Sequence, residues 1–402
     1  MSRPLEGLLV ADFSRVLAGP LAAATLADLG AEVVKVERPG TGDDTRHWGP
    51  PWTEGPGGRS SSYFECANRS KKSVELDLAD PADRAMAVEL ASRCDVLIEN
   101  FRAGSLDRHG LGYAAVAARN PGVVYASITG FGSKQGAELP GYDFLVQAVG
   151  GLMSITGAPG EPTKAGVALV DVLTSKDAVV AILAALRARD APEAGGRGQH
   201  VEVNLLSSLL GSLANQASAY LATGEPPGPM GNRHPSIAPY ETLRARDGQV
   251  ALCCGNDRQF ARLADVLGIP AAARDPRFAT NADRVAHRDA LVAVLEDALG
   301  ADTVDAWVER LTAAGLPAGK VGTLADAFEL ATRLGLEPTV EVGKGRTPQV
   351  RSPLTLSATP LTVYAAPPRL GEHNDDLRTL LSTPRHDPPP GPRPQDHQED
   401  PR

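Results

Sequence analysis

A chain of 402 residues is about two to three times the usual single-domain length, so two domains or one large α/β domain with an appendage are expected. At 42% hydrophobic and 22% charged residues it can bury a core without metal or disulfide staples, which excludes a disulfide-bonded miniprotein. Lys and Arg total 40 against 49 Asp and Glu, a formal net charge of −9 with the signs interspersed, which argues against a nucleic-acid or membrane partner.

The N-terminal apolar run is broken by Asp12, too short for a signal-peptide core. Gly7 to Ala11 reads as a buried parallel strand. After the loop FSRVLAG, Pro20 opens a helix that Gly30 closes, and Ala31 to Glu37 forms the next strand. The unit recurs: a helix from Pro81 through Ser92, a strand from Asp95, and VVYASITG from Val123. Such alternation predicts right-handed crossovers and a doubly wound, mostly parallel sheet that binds ligands at the carboxyl ends of its strands. Those ends are Asp12 to Gly19, Glu37 to Gly40, Glu99 to Arg102 and Thr129 to Gly132.

A long apolar helix is expected from Ser175, then the strand HVEVN and a helix to Thr223. The Gly- and Pro-rich stretch GEPPGPMGNRHPSIAP marks a boundary. Beyond it, strands flank Asp247-Gly248 as a hairpin, with helices near Asp257 to Leu267, Arg284 to Leu299 and Thr303 to Ala314. SPLTLSATP returns to strand character, and a Pro-rich tail from Thr383 is expected to stay disordered. The expected domains are therefore residues 1–224 (large, first part), 225–332 (small α+β), 333–382 (return to the large domain) and 383–402 (tail).

Cys66, Cys94, Cys253 and Cys254 form no CxxC pair and have no histidine at metal spacing, so we expect reduced thiols, no metal site and a cytoplasmic, soluble protein. The first strand-to-helix turn, SRVLAGPLAA, lacks GxGxxG, which weakens a nicotinamide dehydrogenase, and the absence of GxxxxGK[ST] disfavours a P-loop NTPase. The remaining chemical signal is PTKAGVALVDVLTSKDAVV. There Asp171 ends an apolar run just before a helix capped by Thr174 or Ser175. Spacing alone leaves Asp171 as a reactive carboxylate or a helix cap.

Several blocks recur in order from about residue 4 to 376. They include LEGLLVADFSRVLAGPLAAATLADLGAEVVKVERPGTGDDTR, NRSKKSVELDL, IENFRAGSLDRHGL, ITGFG, PGYDFLVQAVGGLMSITG, GRGQHVEV and RLGEHN. Together they closely resemble the class III CoA-transferases of the formyl-CoA transferase and CaiB/BaiF type. The resemblance implies a Rossmann-like large domain built from both chain ends, a smaller middle domain and an interlocked homodimer. It implies CoA transfer between an acyl-CoA and a carboxylic acid, with coenzyme A as co-substrate and no tightly bound cofactor.

The resemblance also places the nucleophile on Asp171, expected to be ionised near neutral pH, which would give an aspartyl anhydride and then an aspartyl-CoA thioester. It assigns CoA contacts to Val16, Leu17, Arg38, Lys71, Lys72, Asn100, Phe101 and Arg108, with the cations on phosphates and Phe101 stacked on adenine or covering the pantetheine. Taken singly, each is as readily a surface charge or a core aromatic. Leu17 stands where formyl-CoA transferase has glutamine, so the pattern points away from formyl and oxalate substrates and toward dicarboxylic acyl donors such as succinyl-CoA. Tyr142, Gly231, Asn232 and His234 are expected at the acyl pocket; His47, His109 and His373 are read as structural or surface histidines.

An α-methylacyl-CoA racemase of the same fold needs a histidine where Tyr142 stands, and tyrosine is a poor base at neutral pH. A catalytically silent acyl-CoA-binding subunit is the third reading, disfavoured because Asp171 is present.

Overall fold

The computed structural model describes residues 3–383, so the tail expected to be disordered lies outside the described residues apart from Thr383. The chain runs β1 (Leu9–Asp12), α1 (Ala18–Asp28), β2 (Glu32–Glu37), β3 (Trp52–Gly55), β4 (Gly58–Ser61), α2 (Ser62–Glu65), β5 (Lys72–Glu75), α3 (Pro81–Arg93), β6 (Val96–Glu99) and α4 (Tyr113–Arg119). It continues through β7 (Val124–Thr129), α5 (Asp143–Val149), α6 (Leu152–Ile155), α7 (Leu169–Arg189), β8 (His200–Asn204), α8 (Leu205–Ser212) and α9 (Ala214–Thr223). Then come β9 (Tyr240–Arg244), β10 (Gln249–Cys253), α10 (Asp257–Val266), α11 (Asn281–Ala286), α12 (Arg288–Leu299), α13 (Val304–Ala313), β11 (Ala318–Lys320), α14 (Leu324–Arg333), β12 (Thr339–Val340), β13 (Gln349–Val350) and α15 (Asn374–Ser382).

Contacts divide the chain into two units: the first holds residues up to Gly150, Gly166–Leu221 and the chain from Glu337; the second holds Gly151–Ala165 and Ala222–Leu336. The major boundaries fall within four residues of those expected, but residues 151–165 belong to the second unit rather than the first. GLMSITGAPGEPTKA carries turn signals at Pro159-Gly160 and Pro162, but a turn signal does not say that the chain changes units.

Six strands of the first unit form a parallel sheet in the order β5-β2-β1-β6-β7-β8. The chain builds outward from β1 on one side, then returns to build from β6 on the other. The reversal between β1 and β6 opens a crevice at their carboxyl ends, where such sheets bind ligands. Period-two alternation sorts the strand residues between faces. Val34, Val74, Leu97 and Tyr125 pack with Leu90 of α3 and Val116 of α4, and each fully buried large side chain contributes about 1.5–3 kcal/mol. On the other face, α7 packs against α1, β7, β8, α5 and α8.

That second face is not uniformly apolar. Asp12, Lys35, Glu37 and Ser73 lie buried on it, at neighbouring positions of β1, β2 and β5. Lys35 Nζ bonds Asp43 at 2.9 Å, and Arg46 grips both Glu37 oxygens at 2.7 and 2.8 Å. Burial opposes charge on Asp12, Glu37 and Asp43, yet their cationic partners outweigh it and hold all three carboxyls below the usual range. This network ties the loops that cap the sheet to the strands beneath them.

In the second unit, β11-β10-β9 form an antiparallel sheet whose core includes Phe260, Phe278, Leu291, Leu295 and Trp307. The Asp247-Gly248 hairpin forms as expected, and the helix read from Arg284 to Leu299 is split at His287. SPLTLSATP contains no strand; Pro353 and Pro360 cannot donate to a ladder, and the nearest pairing is the short β12–β13 ribbon. All four cysteines are free thiols, and no helix among the described residues is long and apolar enough to cross a membrane.

Candidate active site

The loop after β1 is clamped from both sides of the crevice. Asn100 Oδ1 accepts from Arg15 N at 2.8 Å while its Nδ2 donates to Arg15 O at 2.7 Å, tying the end of β6 to the end of β1. Asp43 accepts from Val16 N at 3.2 Å. Held this way, Val16 adopts φ +71°, a conformation that costs a β-branched residue about 1–3 kcal/mol and persists only because its surroundings impose it. Asn100 thus uses one donor and one acceptor of its amide to shape the loop. Helix α1 begins with no side-chain cap at Leu17 and no acid in its first turn, so its initial N–H groups present positive potential beside the loop.

Asp171 enters from α7. The helix begins at Leu169, six residues earlier than expected, so Asp171 sits in its first turn rather than ahead of it. Thr174 and Ser175 are not caps: both are buried inside the helix, and Thr174 Oγ1 donates back to Val170 O. The cap comes from elsewhere in the sequence, because Asp143 of α5 accepts from Val170 N at 2.7 Å and Asp171 N at 3.2 Å. Burial, and then the negative charge of Asp143, push the Asp171 carboxyl up to about 7. The expectation of a fully ionised carboxylate at neutral pH is therefore corrected to a group near its midpoint. Tyr63, pushed up to about 12 by burial and by the charge on Asp171, stays a neutral phenol.

A cavity of about 380 Å³ brings together Val16, Leu17, Asn100, Phe101, Tyr142 and Asp171. Its far wall is the loop from Gly130 to Gly141, whose ends cross so closely that a Cβ on Gly130 would lie 2.4 Å from Gly141 Cα. Arg102 and Glu138 pair across that wall. A second cavity of about 320 Å³ collects Arg38, Phe101 and Arg108 over the ends of β2 and β5. Arg15 and Phe101 line both cavities, with the guanidinium 5.4 Å from the ring centroid. Asp44 is shared by Arg15 at 3.0 Å and Arg38 at 2.9 Å.

Two of the expected cationic contacts are corrected. Lys71 is fully buried, and its ammonium donates to Asp12 Oδ2, Pro20 O and Asn68 Oδ1 at 2.8, 2.8 and 2.9 Å. All three of its donors are used, so none remains for a phosphate. Lys72 pairs with Glu32 and Asp376 and lies with Gly7, Leu8 and Glu32 at the amino ends of the strands, away from both cavities. Gly231, Asn232 and His234 lie in the second unit, where Asn232 Nδ2 donates to Thr242 Oγ1 and the His234 ring packs on Tyr240. His373 Nδ1 accepts from Ser73 N, a structural bond on the edge strand β5.

Sequence reasoning missed Arg15, Asp44 and Asp143. Arg15 adjoined residues already singled out, and its place in the first strand-to-helix loop was an available signal. Asp143 carried none, because the helix it caps begins 26 residues later. Among the described residues no group of three or more His, Cys, Asp or Glu could hold a metal ion.

CoA-transferase family III matches residues 5–374. The chain is 42% identical over 393 residues to the succinate–glutarate CoA-transferase of Agrobacterium fabrum, covering 94% of this chain and 96% of that one. It is 43% identical over 330 residues to the acetyl-CoA:oxalate CoA-transferase of Acetobacter aceti, covering 81% and 83% respectively. A crystal structure of a CaiB/BaiF family protein from Brucella suis superposes with a TM-score of 0.86 at 44% identity, covering 95% of this chain and all of that one. The parallel sheet, the cavity at its switch point and these likenesses agree: the chain belongs to CoA-transferase family III and is a CoA-transferase.

Proposed function

We propose that this enzyme moves CoA from an acyl-CoA thioester to a free dicarboxylic acid through covalent intermediates on Asp171, as a homodimer in the cytoplasm. The observation that carries the reading is the position of Asp171: a half-buried carboxylate on the wall of a cavity at the strand carboxyl ends, next to a cavity bearing Arg38 and Arg108. The second cavity suits the nucleotide phosphates, with Phe101 against the adenine or the pantetheine arm. The first suits the thioester.

An Asp171 oxygen attacks the thioester carbonyl, the C–S bond breaks, and CoA leaves as a thiolate. The mixed anhydride is then attacked at the aspartyl carbonyl by the thiolate, which releases the donor acid and leaves CoA on Asp171 as a thioester. The acceptor carboxylate opens that thioester to a new anhydride, and the thiolate attacks the acceptor's acyl carbon to restore the Asp171 carboxylate. Each addition develops an oxyanion, and the uncapped N–H groups at the start of α1 are suited to stabilise it. A carboxylate poised near neutrality is more nucleophilic, once ionised, than an ordinary aspartate.

Relatives named for glutarate and for oxalate support dicarboxylic acids as a class, and the oxalate name outweighs the Leu17 argument against that acid. Exposed Phe144, Val149 and Val180 on the first unit support association with a second copy. The reading is tested by incubating the enzyme in deuterated water with a CoA ester labelled in its CoA moiety and an unlabelled diacid. Labelled CoA is expected on the diacid, with the α-carbon of the donor retaining its protons. Deuterium at that carbon without CoA transfer would replace the reading with a racemase, and neither outcome would leave a silent binding subunit.

A further inference from the structure

We infer that Asp143 is a positioning residue for the nucleophile, fixing the first turn of α7 through its carboxylate and setting the charge that Asp171 meets. This rests on the reading of Asp171 given above. Asp143 does not line the cavity, so it acts through Asp171 rather than on substrate.

The local sequence explains why an outside group is needed. Ala168 occupies the N-cap of α7 and offers no side-chain acceptor, leaving the first N–H groups unmet by their own segment. Asp143 Oδ1 meets those of Val170 and Asp171, while its Oδ2 accepts from Gln147 Nε2 at 2.6 Å. Gln147 lies one turn along α5, is fully buried, and also donates to Val167 O at 3.4 Å. The cap is therefore held at both ends.

Asp143 is also the chief charge against the nucleophile. Among elements packed on α7, α8 carries no ionisable side chain and α1 only Asp28, which is bound to Arg69. β7 offers Tyr125, bonded to Leu111 O, and β8 offers His200 and Glu202, the former bonded to Ser127. α5 offers Asp143 alone. From α2 comes the neutral Tyr63, and around the cavity stand Arg15 with Asp44, Arg102 with Glu138, and Tyr142. A like charge raises the proton affinity of a carboxylate, in keeping with the elevated Asp171.

The test is the pH dependence of CoA-adduct formation on the Asp171 peptide, measured with succinyl-CoA as donor in the full-length enzyme and in Asp143→Asn and Asp143→Ala. Asparagine keeps an acceptor for the two N–H groups, and Gln147 can turn its amide to meet the new NH₂. Its acid limb is expected to move down by about one pH unit, because the ionised form of Asp171 is no longer opposed by a neighbour. Alanine loses the acceptor as well, and its alkaline plateau is expected roughly 10- to 100-fold below that of Asp143→Asn, since small misplacements of a reacting group are costly. An acid limb of Asp143→Asn superimposed on the wild type, or an alanine plateau equal to that of asparagine, overturns the inference while the nucleophile reading stands. Absence of any adduct on Asp171 in the wild type at every pH overturns both.

Discussion

Asp171→Ala is expected to lower CoA transfer by roughly 10³-fold or more while changing CoA affinity less than about threefold. The two effects separate because Asp171 stands in one cavity and the cations suited to phosphate stand in the other. Removing an acid from the first turn of α7 forfeits about 0.3–1 kcal/mol of helix-dipole interaction. It also removes the opposition between Asp171 and Asp143, so the variant is expected to fold normally. Asp171→Asn is the stricter comparison, since it preserves volume while replacing the carboxylate with a neutral, far less nucleophilic amide. Steady-state transfer assays paired with calorimetric titration of CoA read both quantities. Turnover above about a hundredth of the wild-type rate in either variant would remove Asp171 from the covalent steps.

Lys71→Met is expected to destabilise the first unit by about 3–5 kcal/mol, an effect on folding rather than on substrate affinity. Burial pulls the Lys71 ammonium down to about 8, still protonated at neutral pH, and Asp12 relies on it for compensation inside the sheet. Methionine fills the space but leaves the Asp12 carboxylate buried with the backbone and hydroxyl of Ser14 and the more distant Lys35 charge. Pairing the change with Asp12→Leu should recover part of the loss, because the uncompensated charge then disappears. Chemical denaturation of the single and double variants measures this. If Lys71→Met instead raised the Michaelis constant for acyl-CoA with stability unchanged, Lys71 would be a ligand contact after all.

Local signals made the first half of the fold legible. Apolar runs bounded by Gly30, Pro81 and the ITG turn placed β1, α1, β2, α3, β6 and β7 within a residue or two, because each run is long enough to demand burial. Adjacent Lys71 and Lys72 look alike in sequence, yet consecutive strand-side positions point to opposite faces, and only the assembled sheet shows one entering the core and the other reaching its amino edge. Polar residues within AEVVKVE gave no warning of a buried ion network. The start of α7 was misplaced for a related reason: Thr174 and Ser175 have cap chemistry, but the helix has already begun at Leu169, with its first N–H groups met by Asp143, distant along the chain. SPLTLSATP has strand composition but no donors at its prolines and no partner edge. What the sequence displayed well was the apolar lead-in to Asp171; what it hid was Asp143, which accepts from Val170 N and Asp171 N.

The most direct test is mass spectrometry of the intact enzyme, and of its peptides, after incubation with a single acyl-CoA and no acceptor acid. Release of the donor acid with CoA retained as a thioester on the peptide containing Asp171, absent in Asp171→Asn, is the predicted result. An unmodified Asp171 under conditions of rapid turnover, or CoA carried on a cysteine such as Cys66, would contradict it.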